Sequence, residues 1–326
     1  MSGRRQEFDL IHLHNIHGYC LNLSIAGSLA ELGTPVVWTL HDAWPLTGRC
    51  AYSLQCDRWK NGCGQCPDMS RYPKGHFDTS AFMWKRKKAA FTQQWNPTIV
   101  CPSKWLADQV RESYLRKSRI EIIPNGIDTD TFTPKEKATA RKRLGLPLKK
   151  KIVLFVAADL ADERKGARYF FESLQHIKGD DWMVLTLGKR VNLSGKLPER
   201  VDVKQLGYIS NRDSLAEMYS VADVLCVSSL DEVFGLVVTE SMACGTPVVG
   251  FRVGGILEQI TDDCGALVEP RDVKGLGEAI TKLLQDDDLR EKMSVNCRDR
   301  AVAEYSISKF RDRYVSLYHE IAEGGI

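Results

Sequence analysis

Two glutamates, Glu232 and Glu240, stand eight residues apart in a stretch of buried, apolar character, "DEVFGLVVTESMACGTPVVG". The apolar run "ADVLCVSS" precedes it, and together they predict a parallel strand, a loop and a helix. The helix would begin near Gly235 and end at Gly245, since glycine suits the left-handed cap of a helix. Glu232 then lies in the loop and Glu240 inside the helix. Ionised carboxylates accept hydrogen bonds, so the pair is suited to hold sugar hydroxyl groups.

The start of this helix is suited to phosphate. The backbone N–H groups of a first helical turn have no partner within the helix and lie at the positive end of its dipole. We expect those of Phe234, Gly235 and Leu236 to be unpaired and to face the crevice beyond the carboxyl ends of the strands, where parallel sheets bind ligands. Carboxylates on either side of a bound diphosphate would fit a nucleotide sugar. The alternative is that the acidic residues only complement the helix dipole.

Four cysteines form a second group of candidate functional residues. They have the spacing C-x5-C-x6-C-x2-C in "CAYSLQCDRWKNGCGQC", at Cys50, Cys56, Cys63 and Cys66. A C-x2-C pair on a glycine-containing turn can direct two thiolates at one ion, and two more cysteines complete a tetrahedral set. We predict structural zinc, because four thiolates leave no open position for chemistry. An iron–sulfur cluster and free thiols are the alternatives.

An α/β fold must position these residues. Apolar, β-branched runs alternate with helical patterns, and such runs are typical of parallel strands buried on both faces. Four runs precede residue 125, namely "FDLIHLH", "PVVWTLH", "PTIVCPS" and "RIEIIPN". Five follow, namely "KKKIVLFVAA", "DWMVLTLG", "VDVKQLG", "ADVLCVSS" and "TPVVGF". The alternation predicts doubly wound parallel sheets, with a break at the proline- and glycine-containing "IPNGIDTDTFTP".

Composition excludes several classes of protein. The 326 residues are 43% hydrophobic and 27% charged, typical of a soluble globular chain long enough for two domains. A net charge of +3 is too small to indicate a nucleic-acid partner. The chain has no window of about 18 apolar residues that could span a membrane, and its N-terminus lacks a signal-peptide core.

The remaining cysteines and one basic run bear on location. Six cysteines are scattered among apolar segments, as is typical of free thiols in a reducing compartment: Cys20, Cys101, Cys226, Cys244, Cys264 and Cys297. We therefore expect a cytoplasmic protein. The run from Lys85 to Lys88 after Trp84 either contacts anionic lipid, at the inner face of the plasma membrane, or is a solvated helix face.

The motifs as a set resemble a known family. "E-x-F-G-L-V-x-x-E-x-M-A-C-G-T-P-V-V" is similar to the signature of retaining glycosyltransferases of family 4 (glycosyl transferases group 1), which have the two-domain GT-B fold. "IPNGIDTDTF", "ERKG", "LGYISNRDSLAEMYSVADV" and "YSISKFRDRYVSLYHEI" are similar to the family's linker, phosphate-binding lysine loop, base-contacting segment and closing helix. "DLIHLHNIHGY" through the cysteine cluster resembles the exopolysaccharide, or colanic-acid-type, branch.

The resemblance implies individual roles. Glu232 would contact the donor sugar as a catalytic residue, and Glu240 would bind the ribose. Lys165 would neutralise the diphosphate, so that catalysis needs no metal or other cofactor. His41, in "TLHD", would be the second catalytic residue and hold the sugar or phosphate from the first domain.

Two further expectations concern residues beside these. His14 and Asn15 end the preceding strand and are expected to line the same acceptor-side cleft as His41. Many family members have an arginine about six residues before the loop lysine, but this chain has Asp159 there. Arg164 is its candidate substitute as a phosphate contact.

The GT-B resemblance divides the chain into three parts. Residues 1–130 would form the acceptor-side Rossmann-like domain, with a cysteine-rich insertion at 46–76, and 131–305 the nucleotide-sugar-binding domain, the two facing a cleft. Residues 306–326 would form a helix that packs back toward the first domain. The first domain is expected to be N-terminally shortened, since the family's first strand and glycine-rich loop have no counterpart before "FDLIHLH".

The implied function is transfer of a sugar, with retention of anomeric configuration, from a UDP- or GDP-linked donor to a saccharide or lipid-linked saccharide in cell-surface polysaccharide synthesis. The motifs leave the base, the sugar and the acceptor open. The alternative is a non-enzymatic module that keeps the nucleotide-sugar site and acts as a partner or sensor.

Overall fold

The computed structural model describes residues 8–17, 22–93, 95–192, 197–198 and 201–324, which form two compact units. Unit 1 comprises the chain up to Pro124 together with the segment from Phe310 onward, and unit 2 comprises Asn125–Lys309. Each unit contains one parallel β-sheet. The predicted α/β class is therefore confirmed.

The described sheet of unit 1 has four parallel strands in sequential order. They coincide with the four predicted runs: β1 (Ile11–Leu13), β2 (Val36–Thr39), β3 (Thr98–Cys101) and β4 (Ile120–Ile122). β2 is buried along its whole length, as expected for a strand covered on both faces. Its Trp38 packs against the rings of Phe91 and Trp95.

Helices of unit 1 connect these strands: α1 (Ile25–Leu32), α2 (Ser80–Thr92) and α3 (Lys104–Glu112). α1 ends at Gly33 in the left-handed conformation, at φ 67°. α2 contains the basic run. Its Lys85, Arg86 and Lys88 are exposed, whereas Lys87 is completely buried, so the run is not uniformly a solvated face.

Unit 2 has a six-stranded parallel sheet in the order β10-β9-β8-β5-β6-β7. The strands are β5 (Lys151–Asp159), β6 (Trp182–Lys189), β7 (Val203–Gly207), β8 (Val224–Val227), β9 (Val248–Phe251) and β10 (Gly265–Val268). The first five match the predicted runs, and β10 was not predicted. The direction of strand addition reverses between β5 and β8, which makes that position the topological switch point.

Among the described residues, seven α-helices of unit 2 precede, connect or follow its strands. They are α4 (Lys137–Arg143), α5 (Ala167–Ser173), α6 (Arg212–Val221), α7 (Leu236–Ala243), α8 (Ile256–Gln259), α9 (Val273–Gln285) and α10 (Asp287–Tyr305). Buried apolar residues form a core on each side of the sheet, for example Leu154 and Met242 in one cluster, and Phe155 and Phe170 in the other.

The last helix, α11 (Ile307–Ala322), belongs mostly to unit 1. Its Tyr314, Leu317 and Ile321 are buried in one cluster with Val37 of β2 and Val100 of β3. The helix thus covers one face of the sheet of unit 1.

Five of the scattered cysteines are buried free thiols, as predicted: Cys101, Cys226, Cys244, Cys264 and Cys297. Cys20 lies outside the described residues. Within the described part of the chain, no helix combines the length and the apolar character that a membrane span requires.

Candidate functional site

The switch point of the sheet of unit 2 brings the predicted lysine and first glutamate together. Lys165 lies in a short 3-10 helix, Glu163–Lys165, in the connection after β5. Glu232 lies in the loop between β8 and α7. Because β5 and β8 are neighbours in the sheet, both connections emerge at the same edge, where open α/β sheets bind ligands.

Close backbone contacts join these two loops. Gly166 has a φ of +67°, and a Cβ on it would lie 1.9 Å from the carbonyl oxygen of Ser228. The Ser228 hydroxyl donates to the Gly166 carbonyl at 2.8 Å, and the Leu230 N–H donates to the Arg164 carbonyl at 2.8 Å. Only glycine permits this approach, which explains the glycine that ends "ERKG".

Glu232 is a buried carboxylate with cationic partners. Its Oε2 lies 2.6 Å from the Lys165 Nζ and 3.4 Å from the Arg164 Nη1, and it accepts from the Ser229 hydroxyl at 3.5 Å. All three contacts use the same oxygen. Among the described residues Oε1 has no partner and is available to a ligand hydroxyl. The structure also directs Arg164 toward Glu232, which the sequence left open.

Gly254 and Gly255 contact the backbone carbonyl group of Glu232. Gly254 has a φ of +53°, and a Cβ there would lie 2.0 Å from the Glu232 carbonyl oxygen. The Gly255 N–H donates to that same oxygen at 2.8 Å. The motif "VGGI" therefore sets the backbone position of the carboxylate.

The N-terminus of α7 is more fully hydrogen-bonded than the sequence analysis expected. The helix begins at Leu236 with Gly235 as its N-cap. The Gly235 N–H donates to Gln259 Oε1 at 3.3 Å, and the Leu236 N–H contacts the Phe234 carbonyl at 3.2 Å. The expectation that all three N–H groups are unpaired is thus wrong for these two, because a glutamine side chain and a tight turn occupy them.

Gln259 itself is a residue that sequence reasoning missed. It is 1% exposed, and its Nε2 is a buried donor without a hydrogen-bond partner among the described residues. A buried amide donor without an acceptor is unfavourable, so the site favours a ligand oxygen there. Only its place at the end of α8, just after "VGGI", could have drawn attention to it.

Glu240 lies in α7 and is held by a buried tyrosine. The Tyr219 hydroxyl donates to Glu240 Oε2 at 2.8 Å. Burial raises the pKa of Glu240 to about 7, although the hydrogen bond from Tyr219 and the charge of Arg212 act in the opposite direction. The carboxyl group therefore changes its charge near neutral pH.

In unit 1, His14 and His41 lie side by side at the carboxyl ends of β1 and β2. His14 Nδ1 and His41 Nε2 are 2.8 Å apart, and the rings are stacked with centroids 5.1 Å apart. Burial lowers the pKa of both histidines, and for His41 the neighbouring His14 lowers it further. The pair is therefore neutral at physiological pH. Asn15, the other predicted residue, is exposed beside it.

Three further residues at this edge were missed by sequence reasoning. His12 is hydrogen-bonded to Tyr318 and Thr39, and burial lowers its pKa to about 4. His17 Nε2 lies 2.7 Å from Asp42 Oδ2, and the Trp44 N–H donates to Asp42 Oδ1. The repeated histidines in "HLHNIH" were the available signal.

The four clustered cysteines are free thiols in the structure. Within the described residues, no group of three or more His, Cys, Asp or Glu side chains is arranged to hold a metal, so the predicted zinc site is not shown. Burial raises the pKa of Cys50 and of Cys63, and the neighbouring thiols raise both further. Cys66 and Cys56 act in this way on Cys50, and Cys50 and Cys56 act on Cys63.

Comparisons with known proteins agree with this architecture. Residues 136–300 match the family model described as "Glycosyl transferases group 1", and residues 3–131 match "Glycosyltransferase Family 4". The chain is 27% identical over 325 residues to the "Putative colanic acid biosynthesis glycosyl transferase WcaC" of Escherichia coli, covering 96% of this chain and 76% of the relative. It is 31% identical over 333 residues to the "D-inositol 3-phosphate glycosyltransferase" of Corynebacterium urealyticum, covering 96% and 72%.

Solved structures show the same fold. Sucrose-phosphate synthase from Thermosynechococcus elongatus superposes with a TM-score of 0.72 at 24% identity, covering 96% of this chain and 74% of that one. HepE from Anabaena, solved in complex with UDP, superposes with a TM-score of 0.73 at 16% identity, covering 96% and 79%. This chain has two parallel-sheet units, and together with these structural likenesses they confirm the predicted GT-B fold.

Proposed function

The chain belongs to the glycosyl transferases group 1 family and has the GT-B fold, and on this premise we propose that it transfers a sugar from a nucleotide diphosphate sugar to a saccharide or lipid-linked saccharide. The contact between Lys165 and Glu232 at the switch point carries the proposal. It sets an ammonium group suited to diphosphate beside a carboxylate suited to sugar hydroxyls. In a nucleotide sugar these two groups are adjacent.

Unit 2 supplies the donor site in this proposal. Lys165 and Arg164 bind the diphosphate beside the N-terminus of α7, at Phe234, Gly235 and Leu236, where the Phe234 N–H is the one that the contacts described above leave for the ligand. The Gln259 amide donates to a phosphate or sugar oxygen from the same side. Glu240 accepts from the ribose hydroxyls, and Tyr219 fixes the orientation of its carboxylate.

The main catalytic effect is stabilisation of the leaving group. The bond between the anomeric carbon and the diphosphate oxygen breaks while the acceptor hydroxyl oxygen bonds to that carbon, and the hydroxyl proton passes to the departing diphosphate. Negative charge develops on the diphosphate oxygen, and fixed cations are most effective against developing charge. Lys165 and Arg164 provide the positive charge, so a divalent metal is not required for this step. Glu232 orients the donor sugar through its Oε1. The reaction retains the anomeric configuration, and no side chain takes the part of a covalent nucleophile.

Unit 1 supplies the acceptor side. His14 and His41 are neutral, so they offer hydrogen bonds to the acceptor sugar rather than charge. Asn15 adds an exposed amide beside them. WcaC is named for colanic acid biosynthesis and HepE was solved with UDP, which supports a role in cell-surface polysaccharide synthesis and makes UDP-linked donors, followed by GDP-linked donors, the first to test.

We also propose where the protein acts. The protein acts in the cytoplasm, peripherally at the inner face of the plasma membrane. Phe82 is 60% exposed on α2, near the exposed Lys85, Arg86 and Lys88, and an exposed aromatic beside cations suits an anionic lipid surface. Co-sedimentation with anionic vesicles, and its absence with zwitterionic vesicles, tests this part.

The transfer reaction is tested with the wild-type protein, a panel of UDP- and GDP-linked sugars, and an alkyl glycoside as a model acceptor. We expect release of one nucleoside diphosphate with formation of a glycosylated product. Lys165→Ala and Glu232→Gln should abolish release, whereas Lys274→Ala, a lysine exposed on α9, should not. Tight donor binding without any turnover would favour the alternative of a sensor or partner module.

A further inference from the structure

The segment between β2 and α2 is long and has little regular structure. Residues 40–79 contain one three-residue 3-10 helix, Arg58–Lys60. Yet Leu46, Ala51 and Trp59 within it are at most 3% exposed. An ordered connection of this length with so little regular structure needs another constraint. The four clustered thiols lie in this segment.

A close backbone approach holds Cys63 next to the residues that lead into Cys50. The Gly48 N–H donates to the Cys63 sulfur at 3.0 Å. A Cβ on Gly48 would lie 2.9 Å from the Cys63 Cβ and 2.2 Å from the Ser80 carbonyl oxygen, so only glycine fits. Gly62 and Gly64 flank Cys63 with φ values of +133° and +150°, which gives the turn before Cys66 its shape. N–H donors of this kind orient and stabilise metal-bound ligands.

The second observation is a buried lysine at the same place. Lys87 of α2 is 0% exposed, and its Nζ donates to the carbonyl oxygens of Trp44 and Thr47 at 2.7 and 3.0 Å. In the part of the chain that the structure describes, no carboxylate lies within ion-pair distance of this Nζ. The acidic groups near it are Cys50, Asp42 and Cys63, and both cysteines are free thiols in the structure. Two carbonyl oxygens and the Trp44 ring, whose centroid lies 3.4 Å from the Nζ, contact this group, but no anion among the described residues does, and a buried charge without a counter-charge is unfavourable.

We infer that Cys50, Cys56, Cys63 and Cys66 bind one zinc ion, and that Lys87 is the buried counter-charge of this site. Four thiols lose four protons to bind Zn²⁺, and the resulting tetrathiolate has a net double negative charge. The ammonium group of Lys87 neutralises half of it. The negative tetrathiolate and the positive ammonium group therefore each reduce the free-energy cost of burying the other. The four sulfurs would converge on the ion at about 2.3 Å.

The site would be structural and would order the segment that follows His41 and Asp42 in unit 1. It does not depend on the proposed transfer reaction, because metal content is measured without donor or acceptor. Failure of one proposal therefore leaves the other intact.

The first test is the metal content of the full chain, purified without a metal-affinity tag. Elemental analysis should find about one zinc per chain and no iron. Cys63→Ser and Cys66→Ser should lose the zinc. Cys101→Ala removes a buried thiol in β3 of the same unit and should keep it, which separates metal loss from general destabilisation.

If the cysteine variants do not fold, the zinc site can still be tested on the wild-type protein. A strong chelator should lower its melting temperature and expose four thiols to alkylation within residues 50–66, and added zinc, but not magnesium, should reverse both effects. Folded, metal-free protein whose four thiols alkylate without chelator would overturn the site. Iron with visible thiolate absorption would overturn the assignment to zinc.

Lys87→Met tests the counter-charge. It removes the ammonium group and leaves the four ligands in place, so the variant should still contain zinc but lose it to a competing chelator at least about tenfold more readily. Lys88→Met, on the exposed face of α2, is the matched control and should behave as wild type. An unchanged competition curve for Lys87→Met would refute the role of Lys87.

Discussion

Glu240→Gln should weaken the binding of a nucleoside diphosphate, and the loss should depend on pH. The carboxylate accepts a charge-assisted hydrogen bond from a ribose hydroxyl, whereas the amide accepts a neutral one. That difference is worth about 1 to 2 kcal/mol, or about five- to thirty-fold in Kd. Because the pKa of Glu240 is about 7 in the free protein, the advantage of the wild type should be large at pH 8 and small at pH 6.

Glu240→Gln should weaken nucleotide binding but should not weaken the fold. The folded-state pKa of Glu240 is raised from 4.5 to about 7, so folding favours the protonated form. Between these pH values the folded state holds the proton more tightly than the unfolded chain, and stability falls as pH rises through this window. The raised pKa contributes on the order of 3 kcal/mol to the free energy of unfolding at low pH, and this contribution is lost by pH 8. Glutamine keeps the acceptor for Tyr219 and cannot ionise, so Glu240→Gln should be at least as stable as wild type at pH 8.

Isothermal titration calorimetry with UDP and GDP, at pH 6 and pH 8, measures the affinity. Repeating it at pH 7 in buffers of different ionisation enthalpy should reveal proton release on binding to the wild type and none with Glu240→Gln. Glu278→Gln, at an exposed glutamate in the same unit, is the control. Equal affinities of wild type and Glu240→Gln at pH 8, for the nucleotide that the wild type binds, would refute the ribose assignment.

Three further changes separate the parts of the site. Lys165→Ala should reduce affinity for UDP or GDP but not for the corresponding nucleoside in calorimetry; equal losses would mean that Lys165 only supports the fold. Gly254→Ala should lower the melting temperature more than Gly145→Ala does, because both have a positive φ but only Gly254 faces a carbonyl oxygen at 2.0 Å; similar shifts would contradict the role assigned to "VGGI". His41→Gln should reduce product formation and leave nucleotide affinity unchanged, and a loss of nucleotide affinity would speak against an acceptor-side role.

Most strands were predictable because buried parallel strands are continuous apolar runs. β5, β8 and β9 have this character; β8 and β9 are buried along their whole length, and β5 is buried at five of its nine residues. β10 was missed because "GALV" is short and begins with glycine. Gly265 is required there, since a Cβ would lie 1.9 Å from the Val248 carbonyl oxygen.

The site was predictable in its residue types but not in its pairings. Glu232 and Lys165 could be named from their motifs, yet their contact spans 67 positions and depends on β5 and β8 being neighbours. The contact of Gln259 with Gly235, and the burial of Lys87 within a basic run, have no local signature. Such features come from tertiary packing, which a periodic pattern does not specify.

We propose that this protein transfers a sugar from a nucleotide donor with retention of anomeric configuration, and the product itself records that configuration. The direct measurement is proton NMR of the product formed from the active UDP- or GDP-linked sugar and an alkyl glycoside, read at the anomeric proton of the transferred sugar. We expect the same configuration as in the donor. A product of inverted configuration would contradict it.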